Sequence, residues 1–278
     1  MITEFKKAMT QEFEMTDIGP MTYYLGIEVK QMEDCIFISQ ARYAKEILKK
    51  FNMEDCKPLC TPIECGTKLS KNDEGENPTL FKSLVGSLRY LTCTRPDILF
   101  VVELISRYIE TPTMTHMKVT KRILRYIKCT LDYGLVYSSS NEFKLVGYSN
   151  RDWGRDSDDR KSTTGYVFYL GDIAFTWSSK KQSIVALSTC EAEYVAATSS
   201  VCHVIWLRNL LKALGVSQEE PTEIHVANKL ALALAKNPAF HDRSNPPIFR
   251  YFMHVSLLGS YFTILTTSKN SPVSLFLA

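Results

Sequence analysis

Apolar residues recur at helical spacing in residues 2–14, where Ile2, Phe5, Met9 and Phe13 share one face. The next stretch, MTYYLGIEVKQ, alternates with a period of two and predicts a strand, with Tyr24, Gly26 and Glu28 on one side and Leu25, Ile27 and Val29 on the other. MEDC turns the chain, and IFISQ predicts the returning hairpin strand. Ser39 is placed to cap the helix ARYAKEILKKF, in which Tyr43, Ile47 and Phe51 recur at i, i+4 and i+8. Residues 53–78 carry Pro58, Pro62, Gly66, Gly75 and Pro78 among polar residues and predict an irregular loop. Three helices follow: one over Leu80–Thr92, one opened by Pro96, and one that begins after Thr111-Pro112 and runs through MKVTKRILRYIK.

From Leu131 the period changes. YGLVYS, FKLVGYS, GYVFYLG and IAFTWSS are four short alternating segments separated by turn residues, which predicts an antiparallel meander. LSTCEAEYVAATSSVCHVIWLRNLLKALG then predicts a long helix ending at Gly215, and PTEIHVANKLALALAKNP a strand followed by a helix that Pro238 stops. Residues 130–240 therefore predict β-β-β-β-α-β-α, a mixed sheet with helices packed on it, within an α+β chain that has no internal repeat and no low-complexity segment.

Composition narrows the class. With 278 residues, 45% hydrophobic and 23% charged, the chain has enough apolar surface for one large or two medium domains. A net charge of +3 permits nucleic acid as a partner without demanding it. MITEFKKAMTQEFEM has no apolar signal core, so the expected compartment is cytoplasmic or nuclear, not secretory, with the eight cysteines as reduced thiols. Cys56, Cys60 and Cys65 lie in one loop, but their spacing fits no zinc pattern. No apolar run before residue 250 is long enough to cross a bilayer, and no H-E-x-x-H, G-x-x-x-x-G-K or G-x-S-x-G signature is present.

Two groups of residues carry candidate chemistry. The first is acidic. Two-metal hydrolysis of a phosphodiester needs carboxylates converging from separate elements. Asp152 at a strand end and Glu191 and Glu193 in the first turns of the long helix qualify, while a third strand end, after EIHV, holds Ala227. Ser188 and Glu191 form a capping-box pattern, which gives Glu191 a structural task. Glu193 has no such task. It is followed by Ala196 and Ala197, whose small side chains let the helix approach a sheet, so an ionised Glu193 there needs a cation or a hydrogen-bond donor; the alternative is a merely exposed glutamate. The second group is basic: Lys118, Lys121, Arg122, Arg125 and Lys128 on one side of a helix, and Lys180-Lys181 after IAFTWSS. Each is a solvated face or a phosphate-facing surface.

LVGYSNRDWGRDSDDRKSTTGYVFYLG, WSSKKQSIVALSTCEAEYVAA, WLRNLL and ALALAKNPAFHDR resemble the ribonuclease H domain of copia-type retrotransposon Pol polyproteins. TDIGPMTYYLGIEV, IFISQARYAKEILKKFNMEDCKPLCTPIE, SLVGSLRYLTCTRPDILFVVELISRY and KRILRYIKCTLDYGLVY are similar to the end of the same polyprotein's reverse transcriptase and the segment joining it to ribonuclease H. The resemblance covers residues 1–252 and implies a ribonuclease H-like five-stranded mixed sheet with helices, preceded by a helical thumb-like region. The implied division is 1–75 for the reverse transcriptase remnant, 76–130 for the helical thumb or connection region, 131–252 for the ribonuclease H-like domain and 253–278 for a divergent tail. The implied role is magnesium-dependent cutting of RNA in an RNA–DNA hybrid.

Residue by residue, the resemblance implies a depleted site. The first aspartate of the family's Y-S-D-x-D-W falls on Asn150, and the second is kept as Asp152. The helix glutamate, by its E-x-x-A register, falls on Glu193. The aspartate of C-D-N falls on Ala227, beside Asn228, and the acidic position before R-Y falls on Ile248. The expected metal ligands are Asp152 and Glu193, too few anions for two magnesium ions. The leading expectation is a degenerate ribonuclease H-like fragment with impaired catalysis. The alternatives are a weak metal-dependent nuclease using Asp152 and a hybrid-binding module using the basic residues. The polymerase's Y-x-D-D pair has no counterpart, because Asp158-Asp159 is flanked by charges where that hairpin needs rigid apolar strands. After Arg250-Tyr251 the family pattern gives way to an apolar tail. Gly259, Ser260 and Pro272 interrupt it, which predicts no membrane span and either loose packing or an exposed apolar patch that favours aggregation.

Overall fold

The structure, a computed structural model, describes residues 2–226 other than 17–18, 65, 72–73, 139–142, 153 and 155, together with a strand at 262–266. Helix α1 (Ile2–Glu12) precedes three strands, β1 (Tyr23–Tyr24), β2 (Ile27–Gln31) and β3 (Cys35–Ser39). Helices α2 (Ala41–Lys50), α3 (Pro78–Leu91), α4 (Leu99–Ser106) and α5 (Met114–Cys129) follow, and β4 (Gly134–Ser138) returns to complete an antiparallel sheet of order β1-β2-β3-β4.

MTYYLGIEVKQ is a hairpin, not the single strand its alternation predicted. Tyr24 pairs with Ile27 across a two-residue turn in which Leu25 and Gly26 both have positive φ, 46° and 79°. That is the backbone a tight antiparallel hairpin requires, and alternation cannot register a two-residue reversal. Ser39 does not cap α2 as expected. The cap position is Gln40, whose side chain instead accepts a hydrogen bond from the Thr94 hydroxyl at 2.9 Å. Asn77 caps α3 through the amides of Thr79 and Leu80, with Pro78 in the first turn, where its missing N–H costs nothing. Helices α2–α5 close a first core around Ile47, Phe81, Leu88, Ile105, Ile123 and Ile127. Complete burial of each such side chain stabilises by about 1.5–3 kcal/mol.

The second sheet has the order β7-β6-β5-β8-β9. Strands β5 (Leu145–Asp152), β6 (Thr163–Leu170) and β7 (Ile173–Lys181) form an antiparallel meander. β8 (Thr222–Val226) lies parallel to β5, and β9 (Phe262–Thr266) parallel to β8. The meander predicted with four segments thus has three, because YGLVYS is β4 and pairs with β3. Gly134 permits that pairing: a Cβ there would collide with the Ile38 carbonyl and the Phe37 ring. β9 lies within the segment expected to pack loosely. The helix predicted after β8 lies outside the described residues.

Helix α6 (Thr189–Ala213) covers one face of this sheet. Tyr194, Ala197, Val201, Val204 and Leu211 form its inward stripe, meeting Leu145, Phe168 and Ile224 in a second core. Ala196 and Ala197 are both buried, as their size predicted. Leu145, Gly147, Ser149 and Arg151 face α6, and strand alternation turns Val146, Tyr148, Asn150 and Asp152 to the opposite face. On that face Tyr148, Gly165 and Val167 line a small cavity with Leu99 and Phe100 of α4. Two hydrogen bonds tie the helical region to the sheet, Trp177 Nε1 to the Thr92 carbonyl at 3.1 Å and Arg107 Nη2 to Thr163 Oγ1 at 2.8 Å.

Candidate active site

Glu193 sits in the second turn of α6 and is 1% exposed. Its carboxylate meets the guanidinium of Arg151, with Nε 3.0 Å from Oε2, and the same Nε lies 3.2 Å from the Thr189 carbonyl that accepts its proton. The cation that a buried glutamate needs is therefore the chain's own arginine, projected from β5 onto α6. Ser188 caps α6 by accepting from the Glu191 amide at 3.1 Å. Glu191 reaches back one residue further than a capping box predicts and accepts from the Leu187 amide at 2.7 Å. Gln182 braces the same corner, its amide nitrogen donating to Thr164 Oγ1 at 3.0 Å and to the Ala192 carbonyl at 2.9 Å.

Asn150 and Asp152 are not gathered with Glu193. They lie on the other face of β5. Asn150 Oδ1 accepts from the Arg151 amide at 2.7 Å, and the Asp152 carboxylate accepts from the Thr163 amide, closing the β5–β6 ladder. Ala227 and Ile248 lie outside the described residues. Among the described residues, no group of three or more histidine, cysteine, aspartate or glutamate side chains is placed to hold a metal ion. The resemblance implied magnesium, and the described residues do not fit it: Glu193 is answered by Arg151, Asp152 is engaged by a backbone amide, and Asn150 carries no charge.

The seven basic candidates do not form one track. Lys118 and Lys121 are exposed on α5. Arg122 pairs with Glu64 at 2.5 Å and donates to Thr61 Oγ1 at 2.9 Å. Arg125 donates to the Lys57 carbonyl at 2.6 Å, and Lys128 to the Cys56 carbonyl at 2.7 Å. These three hold the 53–77 loop on α5, a task that a helix-face reading could not see because the loop has no periodicity. Lys180 is exposed on the rim of an open groove of about 640 Å³ between β6–β7 and α6. Lys181 is paired with Asp156 at 2.6 Å and Asp159 at 2.8 Å.

Sequence reasoning missed Arg151 and Asp156. Arg151 was legible as a charge on the inward parity of β5, where the other residues are Leu145, Gly147 and Ser149. Asp156 is 4% exposed and collects Lys181, Arg107 at 3.6 Å and the amides of Asp158 and Asp159. Burial pushes its pKa up, but the Lys181 bond and the two amides outweigh that and hold it below the usual carboxylate value.

Residues 1–65 match the family described as reverse transcriptase (RNA-dependent DNA polymerase). The retrovirus-related Pol polyprotein from transposon RE2 of Arabidopsis thaliana is 38% identical over 238 residues, covering 85% of this chain and 16% of that protein. An uncharacterized mitochondrial protein of Arabidopsis thaliana, AtMg00810, is 36% identical over 199 residues, covering 71% of this chain and 83% of that protein. A crystal structure of LC11-RNase H1 in complex with RNA/DNA hybrid aligns with a TM-score of 0.33 at 13% identity, over 45% of this chain and 86% of that one. The second sheet, five mixed strands under one long helix, has the strand count and mixed pairing that the resemblance implied. The chain belongs to the family of retrovirus-related Pol polyproteins of copia-type transposons, and it spans about a sixth of the length of the RE2 polyprotein.

Proposed function

We propose that this chain is a degenerate copia-type Pol segment whose ribonuclease H-like domain has lost metal-dependent cleavage of RNA–DNA hybrids. The observation that carries this reading is the Arg151–Glu193 ion pair. A divalent ion at Glu193 would have to displace a guanidinium already bonded to a carboxylate that is 1% exposed, with no second carboxylate on that face of β5 to receive it. Arg151 thus supplies the counter-charge that magnesium supplies in an intact site. The division into a reverse transcriptase remnant (1–75), a helical connection (76–130), a ribonuclease H-like domain (131–252) and a tail (253–278) is part of the proposal. Spatially, β4 belongs with the first sheet and β9 with the second.

The test is hybrid cleavage by purified protein in magnesium and in manganese. The expected result is no cleavage in either; cleavage that disappears in Glu193→Gln would overturn the proposal. Restoring Asn150→Asp, Ala227→Asp and Ile248→Asp together is expected to stay silent while Arg151 is present. Hybrid binding without cleavage would draw on Lys118, Lys121 and Lys180, the exposed members of the basic set.

A further inference from the structure

Cys60, in the 53–77 loop, and Cys129, the last residue of α5, lie 69 positions apart in sequence, yet their sulfurs are 3.9 Å apart. Both are exposed free thiols. Their proximity is held from both sides of Cys60. The Leu59 amide donates to the Arg125 carbonyl at 3.2 Å, and Thr61 Oγ1 accepts from Arg122 at 2.9 Å. Closing the remaining gap to a covalent S–S bond of about 2.05 Å asks for side-chain rotation within a loop already docked on α5.

We propose that Cys60 and Cys129 form an oxidisable dithiol site, converted to an intramolecular disulfide by exchange with a low-molecular-weight disulfide such as oxidised glutathione. One protein thiolate attacks the small disulfide, forming a mixed disulfide and releasing one small thiolate. The second protein thiolate then attacks the protein sulfur of that mixed disulfide and releases the second. The two protein thiols lose two protons and two electrons, and the small disulfide is reduced to two thiols. The hydrogen bond with Cys60 raises the pKa of Cys129, so exchange accelerates as pH rises. The product ties the 53–77 loop covalently to the end of α5, immediately before β4 joins the first sheet. The site is independent of the Arg151–Glu193 reading.

The experiment incubates the reduced full chain with oxidised glutathione at mildly alkaline pH, followed by thiol titration and mass mapping. The expected result is loss of two thiols per chain at monomeric mass, with tryptic peptide 51–68 linked to peptide 129–144. Cys60→Ser and Cys129→Ser should each abolish the link, and Cys56→Ser should leave it. A link that survives Cys60→Ser, glutathione retained on both cysteines without ring closure, or a covalent dimer as the product would each overturn the proposal.

Discussion

Arg151 faces α6 from a strand whose other inward residues carry no charge, and Glu193 is the carboxylate it meets. Deleting one member of a buried pair leaves the other desolvated and unanswered, which costs more than the pair contributes. Arg151→Ala is therefore expected to lower the unfolding free energy by about 3 kcal/mol in urea titration, and Arg151→Ala with Glu193→Gln to recover most of it. Equal loss in the single and double variants would show that the ion pair is not what the glutamate depends on. Gly147, four residues earlier on the same face of β5, has a different constraint. The Phe168 ring lies where a Cβ would stand, and that ring is fully buried against α6. Gly147→Ala is expected to destabilise by about 1–3 kcal/mol through overpacking, read as a lower urea midpoint with unchanged slope.

The segment between β5 and β6 shows how an element with no apolar pattern is held. Asp158 and Asp159 stand in a turn, with Asp158 exposed; both amides point at the buried Asp156 carboxylate, and Asp159 shares Lys181 with it. The Asp156 pKa is held below its ordinary 3.8 in the folded chain. A group lowered on folding contributes stability that is complete above its unfolded pKa and is lost as pH falls through the folded value. Stability should therefore drop below about pH 4. Asp156→Asn should remove that group's share of the acid slope while weakening the protein at neutral pH. Denaturant titrations of both proteins between pH 3 and pH 7 measure this, and parallel slopes would contradict it.

At the scale of the molecule, two cores meet where α4 packs on the sheet face opposite α6. The named polar ties across that contact are Trp177 to Thr92, and Arg107 to Thr163 and Asp156. Each neutral bond contributes about 1 kcal/mol net, and the charged ones about 1.5–3 kcal/mol. Calorimetry of the native chain is expected to show one transition, and of Trp177→Phe with Arg107→Ala two. The basic residues belong to this scale as well. With Arg122, Arg125, Lys128 and Lys181 committed within the chain, hybrid binding should weaken with salt by a logarithmic slope no steeper than about −3, the limit for three phosphate contacts. A steeper slope would mean those cations leave their partners to bind phosphate.

Helices α2, α3, α5 and α6 and the strands β5, β6, β7 and β8 were legible in the sequence. Their signals are local: an apolar stripe, a proline in a first turn, a serine ahead of a glutamate. The resemblance supplied the sheet architecture, the degenerate position Asn150 and the retained Asp152. What local pattern could not carry was pairing between distant segments. YGLVYS alternates like its successors but pairs with β3, at a close approach that Gly134 permits. Lys128 and Arg122 read as a basic face until the loop they hold is in place. Arg151 reads as one more charge in a charged hairpin until α6 lies across β5. By itself the sequence determined that an ionised Glu193 packed against the sheet would need a cation or a hydrogen-bond donor, because the small Ala196 and Ala197 beside it let the helix lie close. Only the tertiary structure decided that the chain supplies it, because a strand residue and a helix residue 42 positions apart meet through packing and not through sequence spacing.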